Sequence, residues 1–399
     1  MFDSRYRMLA TVLVAVTVLA GVSAGLGQEP AVSPASTATS QPSNPKLANL
    51  PANQWVVLHQ QAAGDKVRFK RQEHGGSCFD SKRCRIVMFG SNTHGQDWTN
   101  SPLIFDVVAG KWERLYENDD PSTYKANADG LAVAGTAGDH PWATHTFGCV
   151  EYDPQRDEMV VCCWPEHLKP GRFTNALKDV WPTVKKHPTW TFSFATGKWT
   201  PLPCEPEHFF PHATAYDSDR NVIIGYGGRG IWELAGKERT WARIVNKPLC
   251  GYHNNVVYDS ANKAVVVYGS NENSDDVIAY WPATKEHRKM PTPGTRPAKD
   301  QHTPMCFDPV AKRTVVIVDR GGGVDKPKEG KGEVWLYDLA SDAWTQVPTA
   351  SLPFGCGMNY DMHYDDRHKV CLLVMEALDK PGSPVTVYAL RLDTSAIAK

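Results

Sequence analysis

The chain has 399 residues, with 43 Lys and Arg against 44 Asp and Glu, and a formal net charge of −1 at pH 7. Nucleic-acid-binding proteins usually carry a basic excess or a basic stripe, so this balance argues against that class. A hydrophobic fraction of 41% is that of a folded protein, and 40 aromatic residues (13 Trp, 14 Tyr, 13 Phe) with 31 Gly and 29 Pro favour many short strands joined by turns.

The first residues have the pattern of an export signal. Two arginines precede an apolar run over residues 8–22, which ends in the small-residue stretch Val22-Ser23-Ala24. The run is shorter than the about 20 residues that a membrane span needs. We therefore expect residues 1–24 to be a signal peptide, the mature protein to be secreted or periplasmic, and no membrane span to remain after cleavage.

A segment of low complexity follows the signal. Residues 25–52 are rich in Pro, Ala, Ser and Thr and contain no aromatic residue. Such a segment buries too little apolar surface to offset the entropy of ordering it. The composition predicts a disordered tether over residues 25–52 and a folded domain over residues 53–399.

Six repeats of one pattern cover the folded domain. Each begins with an aromatic residue followed by Asp: Phe79-Asp80, Tyr152-Asp153, Tyr216-Asp217, Tyr258-Asp259, Phe307-Asp308 and Tyr364-Asp365. After a short turn, each continues as an apolar strand: RIVMFG, EMVVCC, NVIIGYGG, AVVVYGS, TVVIVDRGG and KVCLLVME. An Asp at the end of a strand caps a turn through nearby backbone N–H groups, so each repeat contains a β-hairpin.

A second hairpin follows the first in each repeat. An aromatic residue precedes a Trp by seven positions at Phe105 to Trp112, Phe192 to Trp199 and Tyr337 to Trp344. Tyr280 to His287 has the same spacing, and Trp232 to Trp241 is a looser version. Each repeat is therefore predicted to form four strands.

The sixth repeat lacks its last strand, because the chain runs through VTVYALRL without a following Trp. The missing strand is found before the first repeat, as Trp55-Val56-Val57-Leu58. We predict an all-β, six-bladed β-propeller whose ring is closed by this N-terminal strand, with seven blades as the alternative.

The repeats resemble the kelch-repeat, galactose-oxidase-like β-propeller family. The aromatic-to-Trp spacing and the glycine pairs Gly227-Gly228 and Gly321-Gly322 carry the resemblance over the whole folded domain. The pair is weakened to Gly90-Ser91 in the first repeat. The resemblance implies that the first strand of each blade lines a central channel. It also implies that ligands bind on the face where these strands start.

The residues near the predicted strand starts are His74, His145, His212, His253, His302 and Asn359. We expect them round one end of the channel, with His253, His302 and the neighbouring Tyr252 as catalytic residues and the others as binding residues. Imidazoles can ligate a divalent metal or act as general acid or base. They could equally be polar strand starts bonded to backbone and water in a wet channel.

Long loops on the same face supply further candidates. Trp142 lies between the first two blades, Trp164 lies inside the second blade, and Arg229 follows the pair Gly227-Gly228. Tryptophan faces stack on sugar rings, and arginine pairs with carboxylates or sulfates. These loops could also merely pack against one another. The sequence marks three such segments: 117–144 with Tyr124 and His140, 164–189 with His167, Arg172 and Trp181, and 319–333 with Arg320.

The chain contains 10 Cys, an even number that permits disulfides in an exported protein. Cys204, Cys250 and Cys356 fall near the inter-blade loops, so two of them could be bridged. Cys162, Cys306 and Cys371 fall within strand patterns and are expected to be buried thiols.

Three functions compete at this stage. The protein could act as a polysaccharide lyase or glycoside hydrolase on an acidic polysaccharide, or it could be a non-catalytic propeller that binds a glycan or a protein. A copper oxidase of the galactose-oxidase type is disfavoured, because no stretch identifies its set of Tyr, His and Cys ligands. We expect a monomer, and the fold alone does not choose the function.

Overall fold

The computed structural model describes residues 43–62, 65, 67, 74–91, 97–162, 165–204, 209, 211–246, 249, 251, 253–270, 276–298, 303–320, 329–356, 361–376 and 385–397. Six four-stranded antiparallel sheets account for nearly all the regular structure in these residues. The helical elements among them are short 3₁₀ turns, at Pro45–Leu47, Pro121–Thr123, Pro165–Leu168, Trp181–Thr183, Pro348–Ala350 and Thr394–Ala396. None of the helices in the described ranges has the length and apolar character of a membrane span.

Each sheet is one blade, and its four strands follow one another in space from the first to the fourth. Blade 1 consists of β2 (Gly76–Asp80), β3 (Arg85–Phe89), β4 (Leu103–Asp106) and β5 (Lys111–Arg114). Blade 2 consists of β8 (Val150–Asp153), β9 (Glu158–Val161), β10 (Pro188–Ser193) and β11 (Lys198–Cys204). Blade 3 consists of β12 (Ala213–Asp217), β13 (Val222–Gly227), β14 (Gly230–Ala235) and β15 (Thr240–Val245). Blade 4 consists of β16 (Asn255–Asp259), β17 (Ala264–Tyr268), β18 (Ile278–Trp281) and β19 (Glu286–Lys289). Blade 5 consists of β20 (Met305–Asp308), β21 (Arg313–Arg320), β22 (Lys331–Asp338) and β23 (Ala343–Gln346). Blade 6 consists of β24 (Met362–Asp365), β25 (Val370–Glu376), β26 (Val385–Leu390) and, as its fourth strand, β1 (Trp55–Gln60). A small ribbon of β6 (Lys125–Ala126) and β7 (Ala132–Val133) lies between blades 1 and 2 in the chain.

The first strands of the blades form a closed ring. Each contacts the next in the order β2, β8, β12, β16, β20, β24 and back to β2. Backbone hydrogen bonds tie blades 2 and 3 together: the Gly148 amide donates to the His212 carbonyl at 3.0 Å, and the Thr214 amide donates to the Gly148 carbonyl at 2.9 Å. The ring encloses a cavity of about 240 Å³ lined by all six first strands. The predicted six-bladed β-propeller is confirmed.

The six aspartates of the repeats cap the turn between the first and second strands. They are at most 4% exposed: Asp80, Asp153, Asp217, Asp259, Asp308 and Asp365. At Asp217, for example, the carboxylate accepts hydrogen bonds from the amides of Asp219 and Arg220 at 3.1 and 3.2 Å. The residue four positions after each Asp has a left-handed φ between 53° and 59°: Cys84, Asp157, Asn221, Lys263, Lys312 and Lys369. The carboxylate thus holds a turn that a non-glycine residue adopts only with support.

The seven-residue spacing from aromatic to Trp is the register of the second hairpin. The paired residues face each other across the third and fourth strands at Phe105 and Trp112, Phe192 and Trp199, Tyr337 and Trp344, and Tyr280 and His287. Blade 3 follows the same rule, because Trp241 lies opposite Leu234. The looser pairing that the sequence suggested for Trp232 is wrong, since Trp232 lies opposite Arg243.

The N-terminal strand closes blade 6 in the expected register. From first to fourth strand, the facing residues of blade 6 are Tyr364, Cys371, Leu390 and Trp55. The corresponding residues of blade 1 are Phe79, Ile86, Phe105 and Trp112. Trp55 therefore occupies the position that Trp112 has in its own blade.

Residues 43–52 pack on the propeller, which corrects their assignment to the tether. The Asn44 amide donates to Nε2 of His368 at 3.1 Å, and its side-chain Nδ2 donates to the Val107 carbonyl at 2.7 Å. Leu47 and Leu50 are 1% and 8% exposed. Two buried leucines anchor this stretch, although its average composition resembles that of the preceding residues. The folded unit therefore begins near residue 43, and residues 25–42 lie outside the described part of the chain.

The apolar core is divided among the interfaces between neighbouring blades. Between blades 3 and 4, for example, Ile224 and Tyr226 pack with Val265, Val267 and Tyr280, all of them at most 1% exposed. Side chains of a strand alternate between the two faces of its sheet, so each blade contributes one set to each neighbour. No pair of described cysteine sulfurs lies at bonding distance, and the sulfurs of Cys306 and Cys371 are 3.5 Å apart. A bridge between two of Cys204, Cys250 and Cys356 needs Cys204 or Cys250, whose side chains lie outside the described residues.

Candidate functional site

The strand topology places several loops on one face of the propeller. The chain enters each blade on this face, and the loop between the second and third strands returns to it because the strands are antiparallel. His74 and His253 lie just before β2 and β16, each with a left-handed φ, of 63° and 60°. Phe147, just before β8, has a φ of 48°. These three left-handed residues lie outside the six repeated turns, and such a conformation persists only where the surrounding structure holds it.

Five imidazoles surround Phe147 on this face. The ring centroids of His74 and His145 are 4.4 Å apart and their planes are stacked, and His145 stacks in turn on His167 at 3.9 Å. The ring centroids of His212 and His253 lie 5.4 Å apart. The distances from the Phe147 ring centroid to these five rings range from 4.9 to 6.4 Å: His74, His145, His167, His212 and His253. Four of the histidines selected from the repeats thus converge at one place.

The three-dimensional contacts add two residues that the repeat register did not select. His167 lies in the 3₁₀ turn Pro165–Leu168, inside the loop between β9 and β10. The same loop carries Phe173, whose ring centroid is 5.9 Å from that of His167 and which is 41% exposed. The Arg172 guanidinium lies 5.5 Å from the centroid of the Phe173 ring. The unusual length of this loop marked the segment in the sequence, with His167 and Arg172 named in it, but the sequence did not mark Phe173.

Burial makes two of the imidazoles weak bases. Desolvation lowers the pKa of His253 to about 4. Desolvation, together with the smaller effect of the charges that His253 and His167 would carry, lowers the pKa of His212 to about 3. Both rings are therefore neutral at physiological pH. A neutral imidazole offers one N–H donor and one nitrogen acceptor, so these rings can hydrogen-bond hydroxyl groups or ligate a transition metal.

Trp142 lies beneath the face rather than on it. Trp142 is 3% exposed, and its indole N–H donates to the Val133 carbonyl at 2.8 Å. Its ring is 5.5 Å from that of Tyr124 and 6.3 Å from that of Trp181. The Tyr124 hydroxyl accepts from the amide of Ala143, two residues before His145. Trp142 therefore contributes to the packed support of the chain that leads into the cluster.

The remaining selected residues are divided between this face and the undescribed part of the chain. Arg229 is exposed in the turn between β13 and β14, and its carbonyl accepts a hydrogen bond from the Arg243 guanidinium. The other four lie outside the described residues: Trp164, Tyr252, His302 and Asn359. Their predicted positions round the channel remain predictions.

The channel below the cluster contains a second polar group. The Ser77 hydroxyl donates to Oδ2 of Asp361 at 2.8 Å and lies 2.8 Å from Nε2 of His363. These contacts join the first strand of blade 1 to that of blade 6. Glu151 lines the same cavity, and its Oε1 accepts from the Tyr152 amide at 3.0 Å. Desolvation raises the pKa of Glu151 to about 8, so this carboxyl is largely protonated at neutral pH.

One buried trio has the side chains of a metal site but the bonding of a turn cap. Cys84, Asp365 and His368 bring their ligand atoms within 4.8 Å of one another. However, Nε2 of His368 accepts from the Asn44 amide, so the neutral ring carries its proton on Nδ1, which lies 2.5 Å from Oδ2 of Asp365. His368 stands three positions after Asp365, as Arg220 stands after Asp217, and both side chains contact their own Asp. The trio is therefore explained by the repeat itself.

A scan against protein-family models and a search of curated proteins both find no match to this chain. The kelch-type resemblance therefore depends on the repeat residues, and the β-propeller depends on the strand topology. The chemistry of the site must be judged from its side chains. They provide neutral imidazoles, an exposed aromatic ring and a guanidinium on one face.

Proposed function

We propose that this chain is an exported, kelch-type propeller that binds an acidic carbohydrate at the mouth of its channel. The observation that carries the proposal is the continuous contact from the imidazole cluster, through His167, to the exposed ring of Phe173. Export is supported by the basic and apolar N-terminus over residues 1–24.

Each part of the site suits one part of a uronate-containing sugar. The exposed ring of Phe173 offers an apolar face on which a sugar ring stacks. Arg172, over the same ring, is placed to pair with a carboxylate beside that sugar. Neutral imidazoles of His212 and His253 can exchange hydrogen bonds with hydroxyl groups without desolvating a charge.

Catalysis by elimination is the second candidate, and the neutral state of His253 favours it. An unprotonated imidazole can remove the proton next to a uronate carboxylate. The electron pair then forms a carbon–carbon double bond as the glycosidic oxygen leaves with a proton. The lowered pKa of His253 weakens it as a base, and binding of an anionic sugar would raise that pKa again. The site therefore supports carbohydrate binding most directly. Lyase activity is tested in the same experiment.

The test is calorimetric binding of neutral and uronate-containing oligosaccharides to the full chain and to three variants. We expect Phe173→Ala, Arg172→Ala and His253→Ala each to weaken binding of the uronate sugar about tenfold, because each removes about 1 kcal/mol or more of stacking or charge-assisted contact. Arg172→Ala should leave neutral sugars unaffected. His59→Ala is the control, because His59 lies on β1, the outermost strand of blade 6.

Full binding by all three variants with unchanged melting temperatures would contradict the proposal. His302→Ala extends the series to the histidine outside the described residues, and we expect the same loss. The absorbance of the new double bond, followed with and without a chelator, reports lyase activity and any need for a divalent metal. Bound sugar without this absorbance identifies a non-catalytic glycan-binding propeller. Binding of a protein with no glycan bound would assign the face to the alternative class of partner.

A further inference from the structure

Two thiols face each other across the junction between blades 5 and 6. Cys306 lies on β20, the first strand of blade 5, and Cys371 lies on β25, the second strand of blade 6. Their sulfur atoms are 3.5 Å apart, and the side chains are 4% and 1% exposed. A disulfide requires the sulfurs to approach to about 2.0 Å. The sulfurs must therefore move about 1.5 Å closer, a distance of the size that side-chain rotation covers.

The two cysteines are both buried, but they lie differently with respect to the channel. Cys306 lines the central cavity of about 240 Å³, together with Glu151 and Asn255 from other blades of the ring. Both cysteines pack in the apolar core between blades 5 and 6, with Val315 and Leu373, and Cys371 is not among the residues that line the cavity. A small reagent that enters the channel therefore reaches Cys306 first, and Cys371 only through Cys306.

We propose that Cys306 and Cys371 form an oxidation site, at which a small disulfide reagent entering the channel closes a cross-link between blades 5 and 6. The Cys306 thiolate attacks one sulfur of the reagent, which releases one thiol and leaves a mixed disulfide on Cys306. The Cys371 thiolate then attacks Cys306, releases the second thiol and completes the bond. Two protein thiols are oxidised, the reagent is reduced to two thiols, and the protons of the two cysteines pass to the leaving thiolates.

The environment makes this reaction slow and dependent on pH. Burial raises the pKa of Cys306 well above its usual range, with the neighbouring Cys371 adding to the effect. Because only the thiolate attacks, the rate should rise about tenfold from about pH 7.5 to about pH 8.5. The product adds a second covalent link between two blades that share an apolar core. Closing a loop of this length should raise the melting temperature by roughly 5 °C.

The experiment treats the folded full chain with cystamine, blocks the remaining thiols after denaturation and maps the cross-linked peptides by mass spectrometry. We expect a linked pair of peptides containing Cys306 and Cys371, reversed by reductant. Cys371→Ser should trap cysteamine on Cys306 as a stable mixed disulfide, whereas Cys306→Ser should leave Cys371 unmodified. Cys149→Ser is the control, because Cys149 is buried between blades 2 and 3 and should not change the cross-link.

Three results would overturn the proposal. The first is that both thiols of the native chain stay fully alkylatable after cystamine treatment at about pH 8.5. The second is that Cys371 is modified as fast in Cys306→Ser as Cys306 is in Cys371→Ser, because the channel would then not be the route. The third is a cross-link to any other cysteine in place of this pair.

Discussion

Glu151 provides a test of the channel that depends on a single proton. Its carboxyl is partly buried in the cavity, and desolvation raises its pKa from 4.5 to about 8. In the unfolded chain this carboxyl ionises above pH 4.5, but in the folded protein it stays protonated until about pH 8. The unfolded state therefore loses its proton first as the pH rises. The contribution of Glu151 to stability is most favourable below pH 4.5 and falls continuously up to about pH 8.

The size of this effect on the free energy of unfolding follows from the same two pKa values of Glu151. Raising a pKa from 4.5 to about 8 costs about 5 kcal/mol at about 1.36 kcal/mol per pH unit, if the unfolded chain has the ordinary pKa. Glu151→Gln keeps the shape and the backbone contact but has no proton to lose. We expect this variant to be several kcal/mol more stable than the wild type at about pH 8.5, which corresponds to about 5–10 °C in melting temperature. At about pH 4 the two proteins should melt together.

The assay is thermal unfolding of wild type and Glu151→Gln followed by tryptophan fluorescence between about pH 4 and about pH 9. The difference between the two curves isolates Glu151 from all other titrating groups. Glu117→Gln, at an exposed position in the loop after β5, is the matched control and should show no such difference. Parallel curves for Glu151→Gln and wild type over the whole range would refute the reasoning, since they would mean that Glu151 ionises in the folded protein as it does in water.

Two further predictions concern the ends of the ring and the buried trio. Deleting residues 53–60 should expose the edge of β26, lower the melting temperature by about 10 °C or more and cause association, as measured by light scattering; a monomeric variant with an unchanged melting temperature would exclude closure by β1. His368→Ala should destabilise the fold by about 1–3 kcal/mol, because it removes the ring donor to Asp365 and leaves the Asn44 amide without its ring acceptor. A chelator should leave the wild-type melting temperature unchanged, whereas a drop accompanied by release of a metal would show that the trio with Cys84 holds an ion.

The fold could be predicted because its determinants are local and are repeated six times. Asp217 and its five counterparts each cap one turn, and the seven-residue spacing is set by the register of one hairpin. Even the closing strand was recognisable, because Trp55 completes a pattern that the last repeat leaves unfinished. Repetition separates such a signal from chance, since each copy satisfies the same physical requirement independently.

The site was predictable only in part, because contacts between loops are not repeated. His74 and His253 could be selected by their distance from the capping Asp. His167 and Phe173 reach the cluster through the course of one long loop, which no register describes. The sequence also did not show which of the selected aromatic residues are buried. Trp142 is of the residue type that stacks on sugars, but it packs among Tyr124 and Trp181. The docking of Leu47 likewise depends on a surface formed by distant parts of the chain.

The closure of blade 6 also determines which step of folding comes last. Asn53 and Asp393, which bond to each other beside the closing strand, are 340 positions apart in the sequence. Strand β1 is therefore the first to be synthesised and the last to find its partner, because β26 follows five complete blades. Such a contact adds a slow final step to folding, and the unpaired edge stays open to other chains until then. Conditions that delay synthesis of the last blade should therefore favour aggregation through β1 even when every blade is stable.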